Sequence, residues 1–350
     1  MDEKIYDPFA SAKLIPVQLP PALIFPPLVN GANIIEKNIK LPPPIITGIL
    51  SRCEKFELAG GAKSFKTWAL IDQSLAISSG NDWWEFETSP TNVIYLNLEI
   101  PEPFFEERVC AVAKARGIAI PSRFNVWHLR GQRLYDQNRW LALLLLLKDI
   151  TEKCSNPLLV TDPVYKLLGG RNENAAGDVQ SLLEQLEDAV QTTQGANTFG
   201  HHFTKGNQAF KEPMDRASGS GVFQRDPDTL FTMTSHKKET AFTINPIVRN
   251  HPPIEDFVVE WDYPLFVRNE KLDPEEIKQP KPRGPKTKFS PGVIGQMLKN
   301  QTLATKDLRA LVMNETGMSR SLFYDLLKQA EEQKSIIKDG ISDTWERYGG

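Results

Sequence analysis

The apolar positions of this chain change their spacing along its length, and the spacing names the elements. "KFELAG" (residues 55–60), "NVIYLNLEIPE" (92–102) and "NPLLVTDPVYKLL" (156–168) are short apolar runs of strand character. "TWALIDQSLAISSG" (67–80) instead carries its apolar residues at helical spacing and ends on glycine, a helix stop signal. Such runs alternate with amphipathic helical stretches from about residue 46 to 266, which predicts an α/β domain around a mostly parallel sheet. The most apolar stretch, "WLALLLLLKDI" (140–150), is far short of the roughly 18 to 20 residues a membrane span needs and reads as a buried helix.

Breaks in this pattern divide the chain. Residues 1–45 are rich in proline ("LPPALIFPPLV", "LPPPII"), which rules out long helices and predicts an extended arm over a neighbouring surface. The α/β region is expected over 46–267. A charged, proline-rich tether follows over 268–288 ("RNEKLDPEEIKQPKPRGPKTKFSP"), and a small helical module occupies 289–350.

Composition adds limits. The 350 residues allow about two domains, and a hydrophobic share of 40% with 24% charged residues is ordinary for a globular protein. The net charge of -3 gives no global pull toward nucleic acid or membrane, so such affinity has to come from local patches. The three cysteines, Cys53, Cys110 and Cys154, lack pair spacing, which argues against a disulfide framework or zinc site and for a reducing cytoplasm. The acidic start "MDEKIYDPFA" has no apolar signal core.

Candidate chemistry begins at "GGAKSFKT", residues 60–67. The phosphate-binding pattern asks for Gly, four free residues, then Gly-Lys-Ser/Thr; Gly60, Lys66 and Thr67 fit, while Phe65 stands where the second Gly belongs. The setting of strand, loop and helix is the right one, because free N–H groups and the helix dipole together hold phosphates. There Gly60, Gly61, Ala62, Lys63, Ser64, Phe65, Lys66 and Thr67 would surround ATP, with Lys66 on the β/γ-phosphates and Thr67 on Mg²⁺. A glycine turn into an ordinary helix is the competing interpretation of these residues alone. Two strand-end carboxylates bear on the choice: Asp162 fits a second Mg²⁺-holding role and Glu99 a general base that orients the attacking water. Each taken singly could be a helix cap or a turn residue.

The stretches "LPPPIITGILSRCEKFELAGGAKSFKTW", "VIYLNLEIPEPFFEERV", "LLVTDPVYKLLGGRNENAAGDV", "GHHFTKG", "DRASGSGVFQRDPD" and "VRNHPPIEDFVVEW" occur in an order that resembles the RecA-like ATPase core of the RepA-type hexameric helicases, AAA-type ATPases of phages and plasmids. The resemblance covers about residues 42–266. Phe65 departs from the Gly of most relatives, whereas a lysine at the place of Lys63 is common among them. A negative φ at the residue before the lysine would accommodate Phe65, with the tight turning left to Gly60 and Gly61 and the ring pointing away from the phosphates, for example toward a subunit neighbour.

The resemblance implies further roles. His202, with His201 beside it, is the candidate γ-phosphate sensor. Lys205, Lys211 and Arg216, in a long polar Gly/Ser-containing loop, would touch the phosphates of single-stranded DNA in a central channel. Arg249 and Arg225 compete as the arginine donated to a neighbour's site, an ordinary ion pair with Asp226 or Asp228 being the alternative for Arg225. Near the C-terminus, helix, glycine turn, helix and two strand-like runs predict a winged helix-turn-helix with Ser319, Arg320, Ser321 and Tyr324 facing a duplex groove, or else a protein partner. The expected whole is an oligomer, a hexamer in the resembled family, that hydrolyses ATP with Mg²⁺ between subunits and moves single-stranded DNA, with no membrane partner. A recombination-mediator ATPase and a nucleotide-switched regulatory protein are the alternatives.

Overall fold

The computed structural model describes residues 28–34, 37–154, 156–171, 175–202, 223, 225–278, 289–299, 301–340 and 342–348. A small ribbon of β1 (Pro44–Ile46) and β2 (Leu50–Ser51) leads into β3 (Lys55–Gly60) and α1 (Lys66–Ser79). Then come β4 (Val93–Asn97), α2 (Glu102–Arg116), β5 (Phe124–His128), α3 (Gln137–Lys153), β6 (Leu158–Asp162), α4 (Ala176–Thr193) and β7 (Ala196–His202). Four further strands, β8 (Thr229–Ser235), β9 (Ala241–Val248), β10 (Phe257–Asp262) and β11 (Leu265–Arg268), complete a nine-stranded sheet in the order β11-β10-β9-β8-β3-β7-β6-β4-β5. Strands β8, β3, β7, β6, β4 and β5 run parallel; β9, β10 and β11 continue the sheet antiparallel. The expected α/β fold with a mostly parallel sheet is therefore present.

The strands sort their side chains to two cores with period two, as the pleat demands. Val93, Tyr95, Leu158 and Val160 join α1 and α2 on one face. Ile94, Leu96 and Leu159 join α3 and α4 on the other. Both faces being covered, β4 and β6 are buried at every residue, which is why they read as continuous apolar runs. Helix α1 ends at Gly80 with φ of 77°, a left-handed residue whose N–H returns to Ala76 and Ile77.

Helix α3 differs from its sequence reading. Trp140, Leu143 and Leu147 are buried, but Leu141, Leu145 and Leu146 are 50%, 69% and 51% exposed. A run of consecutive leucines on a helix turning every 3.6 residues cannot put all of them on one face. The tether also starts later than its composition suggests. Residues 269–278 lie against β8 and β9: Lys278 donates its N–H to the Ser235 carbonyl at 2.8 Å, and the Asp273 carbonyl lies 3.0 Å from His236 Nε2. Of the proline-rich arm, residues 28–34 and 37–43 are exposed.

The last described stretch holds α5 (Gly292–Met297), β12 (Leu303–Ala304), α6 (Thr305–Thr316), α7 (Arg320–Glu332), β13 (Ile336–Asp339) and β14 (Thr344–Arg347), the strands ordered β12-β14-β13. Ser319 caps α7 by accepting from the Leu322 N–H, and Leu308, Val312, Leu326 and Leu327 are buried with Ile294, Phe323 and Trp345, three residues the sequence had not put in this core. Leu311 and Leu322 are only partly buried.

Candidate active site

Four neighbouring parallel strands, β3, β7, β6 and β4, end at one edge of the sheet, and each brings one group there. β3 runs into the loop that carries Lys66; β7 ends on His202, paired in register with Gly60. β6 ends on Asp162, opposite Asn97 of β4, and Glu99 follows two residues after Asn97. Lys63, Ser64, Phe65, Lys66, Thr67, Trp68, Glu99, Arg108, Asp162, Pro163 and His202 line a common cavity of about 400 Å³.

The loop is shaped by its own bonds. Ser64 donates its hydroxyl to the Gly61 carbonyl at 2.8 Å, and Lys66 turns its ammonium back onto the carbonyls of Gly60 and Gly61 at 2.8 and 2.9 Å. Its remaining neighbours are Ser64 Oγ at 3.3 Å and His202 Nδ1 at 3.1 Å. Burial pulls the Lys66 pKa down to about 8 against the attraction of Asp162 and Glu99. Burial, with the Lys66 charge adding to it, lowers His202 to about 4, so at neutral pH the imidazole is uncharged and Nδ1 is the acceptor. His201 faces elsewhere: it meets buried Glu57 at 2.7 Å and stacks on Phe223 at 4.0 Å.

Asp162 is held from two sides, accepting from the Tyr95 hydroxyl at 2.8 Å and from the Thr67 side chain. Burial raises its pKa, and the bonds from Thr67 and Tyr95 oppose the rise. β7 comes close because residue 200 is glycine: a Cβ there would lie 2.8 Å from the Asp162 Oδ1. Glu99 accepts from the Tyr165 hydroxyl at 2.7 Å, with the Lys166 ammonium at 3.9 Å.

Phe65 overturns the backbone reasoning from sequence. It is left-handed, with φ of 60° and ψ of 23°, and so is Lys63 with φ of 62°, whereas neither Gly60 nor Gly61 has a positive φ. Gly60 is needed for closeness, since a Cβ there would meet Ser64 Oγ at 2.8 Å and Met233 at 3.2 Å. Phe65 thus adopts the conformation a glycine supplies freely in the usual pattern. Its ring lies in the cavity wall, stacked at 4.6 Å and 5° on Trp261 of the same chain.

The two arginines proposed for a neighbour's site sit together at the opposite edge, beside the start of β3. Arg249 donates to the Arg225 carbonyl and lies 3.6 Å from Asp228, whose carboxylate also accepts from the Lys55 N–H. Five strand steps from Lys55 to Gly60 separate this edge from the phosphate loop by about 16 Å. Asp226 pairs with Lys55 rather than with Arg225. Lys205, Lys211 and Arg216 fall outside the described residues. Arg320 and Tyr324 are exposed on α7; Tyr324 accepts from Arg309 at 2.9 Å, and the Arg320 guanidinium lies 6.0 Å from its ring.

Arg108 was missed by the sequence reading. It stands on α2 among the cavity residues with its guanidinium 5.0 Å from the Trp68 ring, and it has no carboxylate partner among the described residues. Its only signal in the sequence would have been its place on the helix after the Glu99 strand. As for a metal, the paired oxygens of Thr67 and Asp162 are the hard donors that Mg²⁺ takes, so the residues present fit that ion.

A family model described as an AAA domain matches residues 25–208, more than half of the chain. Among solved structures, the ATPase domain of a helicase matches with 12% identity, over 68% of this chain and 96% of that one, at a TM-score of 0.49. No curated protein sequence matches.

Proposed function

The chain belongs to the AAA-domain family, and from that premise we propose that it is an ATP-hydrolysing motor of the RepA-type hexameric helicase kind, which couples the ATP cycle to movement along single-stranded DNA in the replication of a phage or mobile element. The observation that carries the reading is the convergence of Lys66, His202, Asp162 and Glu99 from four adjacent strand ends on one cavity at the N-terminus of α1.

The free N–H groups of the first turn of α1 face the triphosphate and hold it together with Lys66. On binding, Lys66 exchanges the carbonyls of Gly60 and Gly61 for phosphate oxygens, a charge-assisted partner. Thr67 and Asp162 hold the metal, and Mg²⁺ when bound neutralises charge on the phosphate oxygens. Glu99 orients the attacking water and accepts its proton, with Tyr165 fixing the carboxylate. Arg108 adds a cation able to leave the Trp68 ring for a phosphate. His202 loses Lys66 as a neighbour when phosphate draws the ammonium away, so it is placed to sense occupancy.

Arg225 and Arg249 lie too far from their own loop to serve it, which supports a role at the next subunit's nucleotide, Arg249 being the first candidate. Lys205, Lys211 and Arg216 remain the proposed contacts to the DNA strand. The C-terminal elements have the order of a winged helix-turn-helix, and Arg320, Tyr324 and Arg309 cluster on α6 and α7 where a duplex phosphate would be met. The test is ATP turnover with and without single-stranded DNA, joined to a strand-displacement assay. Stimulation together with displacement is expected. Stimulation without displacement favours a recombination mediator, and an unstimulated ATPase sinks the translocating reading.

A further inference from the structure

Four aromatic rings form a continuous surface that begins inside the phosphate cavity. Phe65 and Trp68 belong to the cavity wall. Phe65 lies flat on Trp261, Trp68 meets the edges of Trp261 at 5.7 Å and Tyr263 at 5.5 Å, and Tyr263 closes the set against Trp261 at 6.2 Å. The surface is partly open, Phe65 being 41% and Tyr263 62% exposed. Core packing does not account for rings left this exposed, and none of these four is needed to hold a phosphate.

We propose that this surface is the base-binding subsite of the nucleotide site, taking the purine ring of a nucleoside triphosphate by stacking. The inference rests on the nucleotide reading above and deepens it. Lys66 and Thr67 fix the phosphate end of such a ligand at the first turn of α1, and Trp68 is the next residue of that turn. The ribose and base therefore leave the loop over Trp68 and the face of Phe65 not covered by Trp261. Beside them the Arg108 guanidinium, 5.0 Å from the Trp68 ring, brings a cation to the same point, which suits a ligand with an anionic tail and a π-face. This gives Phe65 a use that a glycine in its place could not supply.

Titration calorimetry of the full chain with ATP and with inorganic tripolyphosphate, each with Mg²⁺, tests this. The Trp68→Ala and Tyr263→Ala variants are expected to bind ATP more weakly, the former by roughly 5- to 100-fold as for base–aromatic stacks, with tripolyphosphate affinity unchanged. Trp68→Phe should restore most of the loss. The subsite is refuted, and the phosphate reading left standing, if the wild type binds tripolyphosphate as tightly as ATP or if the variants lose both ligands equally. It is refuted too if the variants keep ATP affinity and lose only single-stranded DNA, which would assign the rings to the nucleic acid. Failure of the wild type to bind either ligand overturns the nucleotide reading and the subsite with it.

Discussion

Phe65 joins two opposing effects in one residue. Its left-handed backbone costs about 1 to 2 kcal/mol relative to a right-handed residue, and its stack on Trp261 returns about 0.5 to 1.5 kcal/mol. Phe65→Gly removes both, so its melting temperature should stay within a few degrees of wild type, as scanning calorimetry would show. Phe65→Ala keeps the strain without the ring and should fall below both. Phe65→Gly should still hydrolyse ATP, whereas Lys66→Ala should lose roughly 100-fold or more. The lowered pKa of Lys66 sets a pH signature. The unfolded chain holds the Lys66 proton up to about 10.5 and the folded chain only to about 8, so this group's contribution to stability rises between those values and is lost as pH falls through 8. A bound triphosphate favours the charged ammonium. ATP binding near pH 9 should therefore take up roughly one proton per site, read as the dependence of calorimetric heat on buffer ionisation enthalpy, and affinity should weaken above pH 8.

At the scale of elements, the strands, α1 and its glycine stop were legible in the sequence because burial on both faces and helical spacing leave plain patterns. The carboxylates Glu99 and Asp162 were legible from their strand ends. Three things were not. The left-handed turn at Phe65 was hidden because its stabilising partner, Trp261, lies far away in the chain. Arg108 was hidden because a helix arginine after a strand looks like any solvated cation. Gly200 sits in a strand, where glycine usually marks a close approach, yet what approaches it, Asp162 from β6, is set by strand order. Gly200→Ala should push that carboxylate off Tyr95 and Thr67, at a cost of about 1 to 3 kcal/mol in stability, and lower ATP turnover more than stability alone explains. Helix α3 gives a contrast free of the site. Leu143→Ala, in the core, should cost about 2 to 5 kcal/mol in urea unfolding, while Leu145→Ala, 69% exposed, should stay within about 0.5 kcal/mol.

At the scale of the whole molecule, the sheet separates two chemistries. One edge gathers the phosphate loop, Glu99, Asp162 and His202; the other carries Arg225, Arg249 and their acidic partners. A ring of such chains sets the second edge of one subunit toward the first edge of the next, and this is how a site short of one arginine would be completed. Arg249→Ala should then leave ATP affinity near wild type and lower turnover, and turnover should recover in mixed assemblies where a wild-type neighbour supplies the group. The central claim, that Lys66, Asp162 and Glu99 serve one nucleotide, is tested most directly by measuring ATP binding and hydrolysis side by side in Lys66→Ala and Glu99→Gln. Glu99→Gln is predicted to bind MgATP as wild type does and to lose roughly 10² to 10⁴ in hydrolysis, with Lys66→Ala losing binding itself. Wild-type hydrolysis by Glu99→Gln, or undiminished ATP binding by Lys66→Ala, would contradict it.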